Sequence, residues 1–431
     1  GKNFAKVTKP WILFSWFFQT LGILSGSIWA YYELGWGGYW FWDPVENSSL
    51  IPWFLMTALF HSILVLEKRD GIYLWVIILS ILTFTMSVTG TFLVRSGILN
   101  SVHTFANDPS RGMFILTFLS IMIFSSVYIF YKFSPTEERS FKFFSKEFFI
   151  LTNNWFMIFF LITVLIGTIY PIFLEVLTSQ KISIGPPYYN TVLAPFLVPL
   201  LFIMAYGPKT SWIISKPFKI KKILFTLLIS SLITFFIIFL IDQKNYLINI
   251  LLISSLYLIL QSLFDLFKNL DNKKQKKTFV NKSSLVSHLG FGLFIFFISL
   301  NSIMSIEYDL NIKVGEKKQL NEFEISLDDL KVYDDKNFKK FVGDVTILDN
   351  KNNIIEKLKP EIRIYNSPET ITYEASIKSN IFSDTYVTMS NISRSEFYNI
   401  KFHKKPFMNL IWLSTILIVF GGFLRAIGRK F

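Results

Sequence analysis

Apolar runs of about 18 residues or more recur along this chain, each closed by polar or charged residues, a pattern that predicts membrane-spanning helices. They fall near residues 11–31, 51–67, 72–93, 112–131, 149–172, 190–206, 223–241, 246–264, 285–303 and 406–425, about ten in all. Between the last two runs the period changes. From 304 to 405, stretches such as FEISL, DVTIL, EIRIY, TYEASI and TYVTM alternate apolar with polar residues, and DDKN, DNKNN and NSPE separate them as turns. The expected architecture is an all-α polytopic membrane protein of about ten transmembrane helices with an inserted extracytoplasmic β-rich domain. Residues 1–303 are expected to form the helical bundle, 304–405 the β-rich domain, and 406–431 the last helix and its tail.

Composition agrees with the pattern: 52% of residues are hydrophobic and 18% aromatic, which excludes an ordinary soluble fold. Lys and Arg then set the expected orientation. They concentrate in the 1–10 start, at Lys68 and Arg69, in 132–146, 207–222 and 265–284, and at Arg425, Arg429 and Lys430, so these segments are expected to be cytoplasmic. The alternate segments 32–50, 94–111, 173–189, 242–245 and 304–405 are then expected to face outward. No Lys or Arg lies between Pro10 and Glu67, in agreement with an outward 32–50. The net charge of +13 arises mainly from the cytoplasmic loops, because 304–405 nearly balances its own charges. Topology therefore accounts for the charge, membrane lipid is the surrounding medium, and no nucleic acid partner is expected; the Lys-rich 270–284 reads as a solvated loop. No Met stands at position 1 and no cleavable signal peptide is evident, so the chain is expected to begin partway through a gene product.

Candidate chemistry concentrates in WGGYWFWDPVENSSLIPW, from Trp36 to Trp53, which holds four of the eleven tryptophans. Tryptophan gathers at membrane interfaces, but such a belt needs no fixed pattern of glycines, proline and carboxylates. Trp36, Gly37, Gly38, Trp40, Trp42, Asp43 and Glu46 therefore read as a platform for a large flat ligand. Asp43 and Glu46 also have a structural reading: Asp43-Pro44 can start a turn, and Glu46 favours the N-terminus of the following helix.

Cysteine is absent, which removes disulfides and thiolate metal sites and leaves histidine and carboxylate for any metal. Only His61, His103, His288 and His403 are present. His61, nine residues past Pro52, is placed roughly 14 Å into the bilayer, where an ionisable group is a functional candidate; a neutral imidazole bonded to a neighbouring hydroxyl is the other account. His288 stands near the cytoplasmic start of its helix, with Gly290 and Gly292 permitting close approach by a neighbour. A b-type haem held by two transmembrane histidines is one pairing these residues support. His103 lies in the outward loop 94–111 between Arg95 and Arg111, guanidiniums able to pair with haem propionates or to act as interfacial anchors. His403 is expected at the surface of the β-rich domain.

The order of these motifs resembles the CcmF-type cytochrome c haem lyases. WGGYWFWDPVENSSLIPW is similar to the tryptophan-rich "WWD" signature of haem-handling membrane proteins. TALFHS, GTFLVRSGILNSVHTFANDPSRG, SHLGFGL, PEIRIYNSPETITYEASIKSNIFSDTYVTM and KPFMNLIWL resemble that family's later segments in the same order. The resemblance implies that His61 and His288 ligate a stably bound haem b, and that His103 is one of two outward histidines flanking the platform where the haem to be transferred is held. The second outward histidine of the family precedes the platform, and no histidine stands there, which implies that an N-terminal part of about a third of the family length is missing. It implies a reaction in which haem from a periplasmic, CcmE-like chaperone is joined to CxxCH thiols of apocytochrome c. CcmH/CcmI-like subunits would reduce and present those thiols. The implied location is the bacterial inner membrane, with the WWD loop and β-rich domain in the periplasm.

Two other readings stand beside the lyase: a CcmC-like haem transporter that uses the same platform without bond formation, and a membrane assembly scaffold whose tryptophans are an interfacial belt. A domain of the size of 304–405 favours the lyase over the transporter, since haem delivery alone has less need of a docking surface for a polypeptide.

Overall fold

A computed structural model of the chain describes residues 1–97, 108–133, 142–179, 182–213, 220–242, 244–271, 282–321, 323–367, 369–391 and 395–427. Among them are ten helices long and apolar enough to cross a membrane. These are α1 (Lys2–Glu33), α2 (Pro44–Arg69), α3 (Tyr73–Ser96), α4 (Pro109–Phe133), α5 (Lys146–Thr178), α6 (Pro186–Tyr206), α7 (Ile220–Ile241), α8 (Tyr246–Asp271), α9 (Ser283–Met304) and α10 (Met408–Ile427). The strands are β1 (Ile306–Ile312), β2 (Lys317–Gln319), β3 (Phe323–Asp334), β4 (Phe338–Asp349), β5 (Ile354–Leu358), β6 (Glu361–Asn366), β7 (Glu369–Glu374), β8 (Ser376–Ser379), β9 (Ser383–Asn391) and β10 (Tyr398–Pro406). The chain is a multi-pass, mainly helical membrane protein with a β-sandwich, the class expected from its pattern.

Several helices begin earlier than hydropathy suggests, for a local reason. α2 starts at Pro44 rather than near 51, because Asp43 caps it and proline at the first helical position has no N–H to leave unpaired. α5 starts at Lys146, where the Ser145 hydroxyl accepts from Phe148 N–H at 3.1 Å. Capped first turns are polar, so a hydropathy window undercounts them.

The chain forms two compact units. One comprises Gly1–Ile23, Trp40–Phe296 and Ser414–Phe431, and the other Leu24–Tyr39 and Phe297–Leu413. The helical unit buries a core of Ile51, Leu55, Ala58, Ile63, Leu79, Phe160, Val164 and Leu200 between α2, α3, α5 and α6. α9 approaches its neighbours through small residues. A Cβ on Gly290 would meet the Ile418 nitrogen of α10 at 2.8 Å, and one on Gly292 would meet Ile259 of α8 at 3.0 Å.

The second unit is a sandwich of two antiparallel sheets, ordered β1-β10-β9-β8 and β2-β3-β4-β6-β7, with β5 pairing on β4. Inward residues of both sheets, among them Ile325, Leu327, Val345, Ile347, Val387, Met389, Ile400 and Phe402, fill its core. TYEASI, which reads as one strand, is divided: β7 pairs with β6 and β8 with β9, so the chain changes sheet at Ala375. Alternation alone does not register such a change, because the period of two continues across it.

Candidate functional site

The tryptophan-rich segment connects α1 to α2. Its first limb belongs to the sandwich unit. Gly35 and Gly37 take left-handed backbone angles, φ +68° and +76°, and hold half-buried Trp36 between them. Side chains strain that region and glycine does not. Both glycines are also close-packed: a Cβ at Gly35 would meet the Tyr373 carbonyl oxygen at 2.5 Å, and one at Gly37 would meet the His403 ring at 3.0 Å. Gly38 follows in a bend.

The second limb belongs to the helical unit. The rings of Trp40 and Trp42 stand edge to face at 6.2 Å. Trp42, itself at φ 59°, stacks on Tyr189 of α6 with centroids 4.2 Å apart and planes inclined by 9°. Asn47 ties this contact to the helices: its amide donates to the Trp42 carbonyl at 3.0 Å, to the Thr168 hydroxyl at 3.1 Å and to the Tyr189 hydroxyl at 3.1 Å. Gly167 admits the tyrosine, since a Cβ there would lie 2.5 Å from its hydroxyl. A ring stack of this kind contributes about 1 kcal/mol beyond area burial. Trp40 Nε1 is buried with no hydrogen-bond partner among the described residues, an orphan donor suited to a polar group on a ligand.

Asp43 and Glu46 form a capping box at the start of α2. The Asp43 carboxylate accepts from Val45 N–H at 2.9 Å, and one Glu46 oxygen accepts from Phe41 N–H at 2.9 Å and Asp43 N–H at 3.1 Å. Of the two sequence readings of these acids, this geometry supports the structural one: Glu46 clamps the backbone on both sides of Trp42. Glu46→Ala is expected to lower stability in detergent by about 1–2 kcal/mol, as the loss of a helix cap does, and Glu46→Gln, which keeps one acceptor oxygen, by less. Equal melting temperatures for Glu46→Ala and the parent would rule out the clamp.

His61 and His288 both lie in the helical unit. At 1.5 Å per residue, His61 is about 25 Å from the Pro44 end of α2 and about 12 Å from the Arg69 end, deeper than the 14 Å read from Pro52, because α2 begins earlier. His288 is about 8 Å from the Ser283 end of α9. Each fixes Nδ1 on a backbone carbonyl, His61 on Thr57 at 2.8 Å and His288 on Met204 at 3.0 Å. An Nδ1–H donated to a carbonyl leaves the Nε2 lone pair for a metal, the usual arrangement around haem and zinc histidines. Neither ring is fully buried. This donor set fits bis-histidine ligation of a haem iron.

His103 and most of its loop, residues 98–107, lie outside the described residues. The arginines that bracket it are close along their backbones: Asp108 N–H donates to the Arg95 carbonyl at 2.9 Å. Arg95 is half-buried at the end of α3, and Arg111, exposed in the first turn of α4, pairs with Asp108 at 3.1 Å. Hydrogen bonds from the Ser110 hydroxyl and the Arg111 N–H hold the Asp108 carboxyl below its ordinary range.

His403 departs from expectation. It is buried on β10, edge-on to Tyr386 at 5.6 Å and 3.6 Å from Glu307, because β10 is a central strand between β1 and β9. Sequence reading also misses Tyr189, Asn47 and Thr168. The one signal for Tyr189 is its place in PPYYN, an aromatic pair opening a helix after two prolines.

A family model described as "Cytochrome C assembly protein" matches residues 2–99, and one described as "CcmF C-terminal beta-sandwich" matches 303–406. The chain is 34% identical to the cytochrome c-type biogenesis protein CcmF of Escherichia coli, over 98% of its own length and 66% of that protein. It is 34% identical to the CcmF of Haemophilus influenzae, over 99% of its own length and 67% of the relative. It thus spans about two-thirds of the length of the curated relatives it matches. A solved structure titled cytochrome c heme lyase CcmF superposes with a TM-score of 0.77 at 21% identity, covering 98% of this chain and 66% of that one, and shares the fold.

Proposed function

Because the chain belongs to the CcmF family of cytochrome c-type biogenesis proteins, we propose that it takes part in the haem lyase step of cytochrome c maturation. In that step the two thiols of a CxxCH motif in apocytochrome c add to the two vinyl groups of haem. Each sulfur bonds to the vinyl carbon next to the ring, and each thiol proton ends on the terminal carbon, so the addition is redox-neutral. The observation that carries the reading is the His61–His288 pair, with both Nδ1 atoms committed to carbonyls inside membrane-spanning helices.

Two haem sites divide the work. His61 and His288 would hold a resident haem b, which when bound would supply electrons that keep the substrate iron reduced. The outer platform, with Trp36, Gly37, Gly38, Trp40 and Trp42, would receive the substrate haem from a CcmE-like chaperone. His103 would ligate its iron, and Arg95 and Arg111 would pair with its propionates. Asp43 and Glu46 shape the platform rather than react. The β-sandwich would face the periplasm from the inner membrane and meet apocytochrome c, presented by CcmH/CcmI-like subunits. The protein's own contribution is orientation: aromatic faces hold the macrocycle while its vinyl edge meets the thiols.

The test is covalent product. In cells lacking their own CcmF-family protein but retaining the chaperone, expression of the complete gene product that carries this chain is expected to give haem-stained cytochrome c on a denaturing gel. Non-covalent haem outside the membrane, with no stained product, would instead establish delivery without bond formation.

A further inference from the structure

The tryptophan-rich segment has a built support that the proposed reaction does not yet use. Within the sandwich unit, Gly37 lies directly on the tip of the His403 ring: a Cβ there would meet Nε2 at 3.0 Å, Cε1 at 3.1 Å and Cδ2 at 3.2 Å. The ring is held in turn on two sides. Tyr386 of β9 meets it edge-on at 5.6 Å, and its hydroxyl lies near the Gly37 backbone N–H. Glu307 of β1 stands 3.6 Å from Nδ1 and is bonded to Lys405. Burial, and then the Lys405 ammonium, hold the imidazole below the ordinary histidine range, so it is neutral at neutral pH. The helix leading into the limb is pinned to the same strand, because the Tyr31 hydroxyl of α1 donates to buried Asp384 at 3.0 Å.

A buried imidazole in a sandwich core is commonly filler, and two features set this one apart. Its Nδ1 makes no hydrogen bond within 3.5 Å among the described residues, Glu307 standing just beyond at 3.6 Å, so that nitrogen gives the core little reason to prefer histidine. Its ring tip meets a backbone that has both left-handed angles and no side chain, a place where a displacement of a few tenths of an ångström has nowhere to relax.

We propose that His403 is a positioning residue, the seat on which Gly37 rests, and that it fixes the Gly35–Tyr39 limb and with it the Trp36 and Gly38 part of the outer haem platform. The role in haem binding rests on the haem lyase reading; the seat itself does not.

The test uses the full chain in detergent with its inner haem. Hydrogen–deuterium exchange across 34–42 is expected to quicken in His403→Ala, with the cores of β1, β9 and β10 unchanged, and to return toward the parent in His403→Gln, whose amide reaches the ring-tip position. Protohaem titrated onto the outer site is expected to bind about tenfold more weakly to His403→Ala and to Gly37→Ala, the factor that corresponds to a coupling in the middle of the range for contacting residues. Gly37→Ala/His403→Ala is expected to bind more tightly than Gly37→Ala but short of the parent, because removing the ring makes room for the methyl group while the left-handed angle stays strained. Additive effects, unchanged loop exchange in His403→Ala, or exchange that quickens throughout the sandwich would each overturn the seat. If loop exchange responds as described but the parent takes up no second haem, the haem reading fails and the seat stands.

Discussion

Replacing either His61 or His288 with alanine is expected to abolish the b-type visible spectrum of the purified chain, with the protein still folded. With either imidazole gone, the iron loses one of the two ligands that the assignment requires. The two variants should fail alike, because a low-spin spectrum needs both ligands. The carbonyls of Thr57 and Met204 add a second expectation. Each orients its ring and raises its basicity, and loss of such an outer partner ordinarily weakens metal binding about 10- to 100-fold. A helix deformation at Met204, such as Met204→Pro, should therefore weaken the haem without touching a ligand. The measurement is the reduced-minus-oxidised spectrum alongside size-exclusion behaviour. A full spectrum in His61→Ala would remove the bis-histidine assignment, and aggregation in both variants would mean that the histidines serve the fold.

How much of this was legible in the sequence depends on how local each cause is. Ten helices follow from runs of apolar residues, and a β-rich domain from alternation, because burial in lipid or against one face of a sheet acts on each segment independently, whereas the division of the strands between two sheets does not show in the period. Helix starts were read late at 44 and 146, where capping polar residues mask the first turn. The spacing from Trp36 to Glu46 pointed to a platform, yet the partner that stacks under Trp42 stands 147 positions away at Tyr189. His403 was the clearest failure. In a strand an imidazole followed by KKP reads as solvated, and only the pairing of β10 with β1, nearly a hundred residues earlier, reveals that it points inward. His61 and His288 stood out because a titratable group in an apolar run is costly wherever it lies.

Lys9 and Glu67 show the same limit and carry the largest expected effect on stability. The sequence places Lys9 in the cytoplasmic start, ahead of a helix expected from residue 11. In the structure α1 begins at Lys2, and Lys9 is bonded to Glu67 of α2 with side chains only 6% and 8% exposed. At that burial neither charge is solvated, so the favourable part of the pair is largely spent on desolvation; breaking a buried pair by removing one partner nevertheless costs about 3–5 kcal/mol. Lys9→Met is therefore expected to lower the unfolding midpoint in detergent sharply, and Lys9→Met/Glu67→Leu to recover most of the loss, since apolar replacement of a buried pair is often neutral or better. Glu67 lies in the last turns of α2, six residues beyond His61, so the pair also anchors the end of the helix that carries the histidine. The b-type spectrum should then be thermally weaker in Lys9→Met and restored in the double variant. A single variant as stable as the parent would show that water reaches the pair, and a double variant no better than the single one would show that Lys9 matters for some other contact.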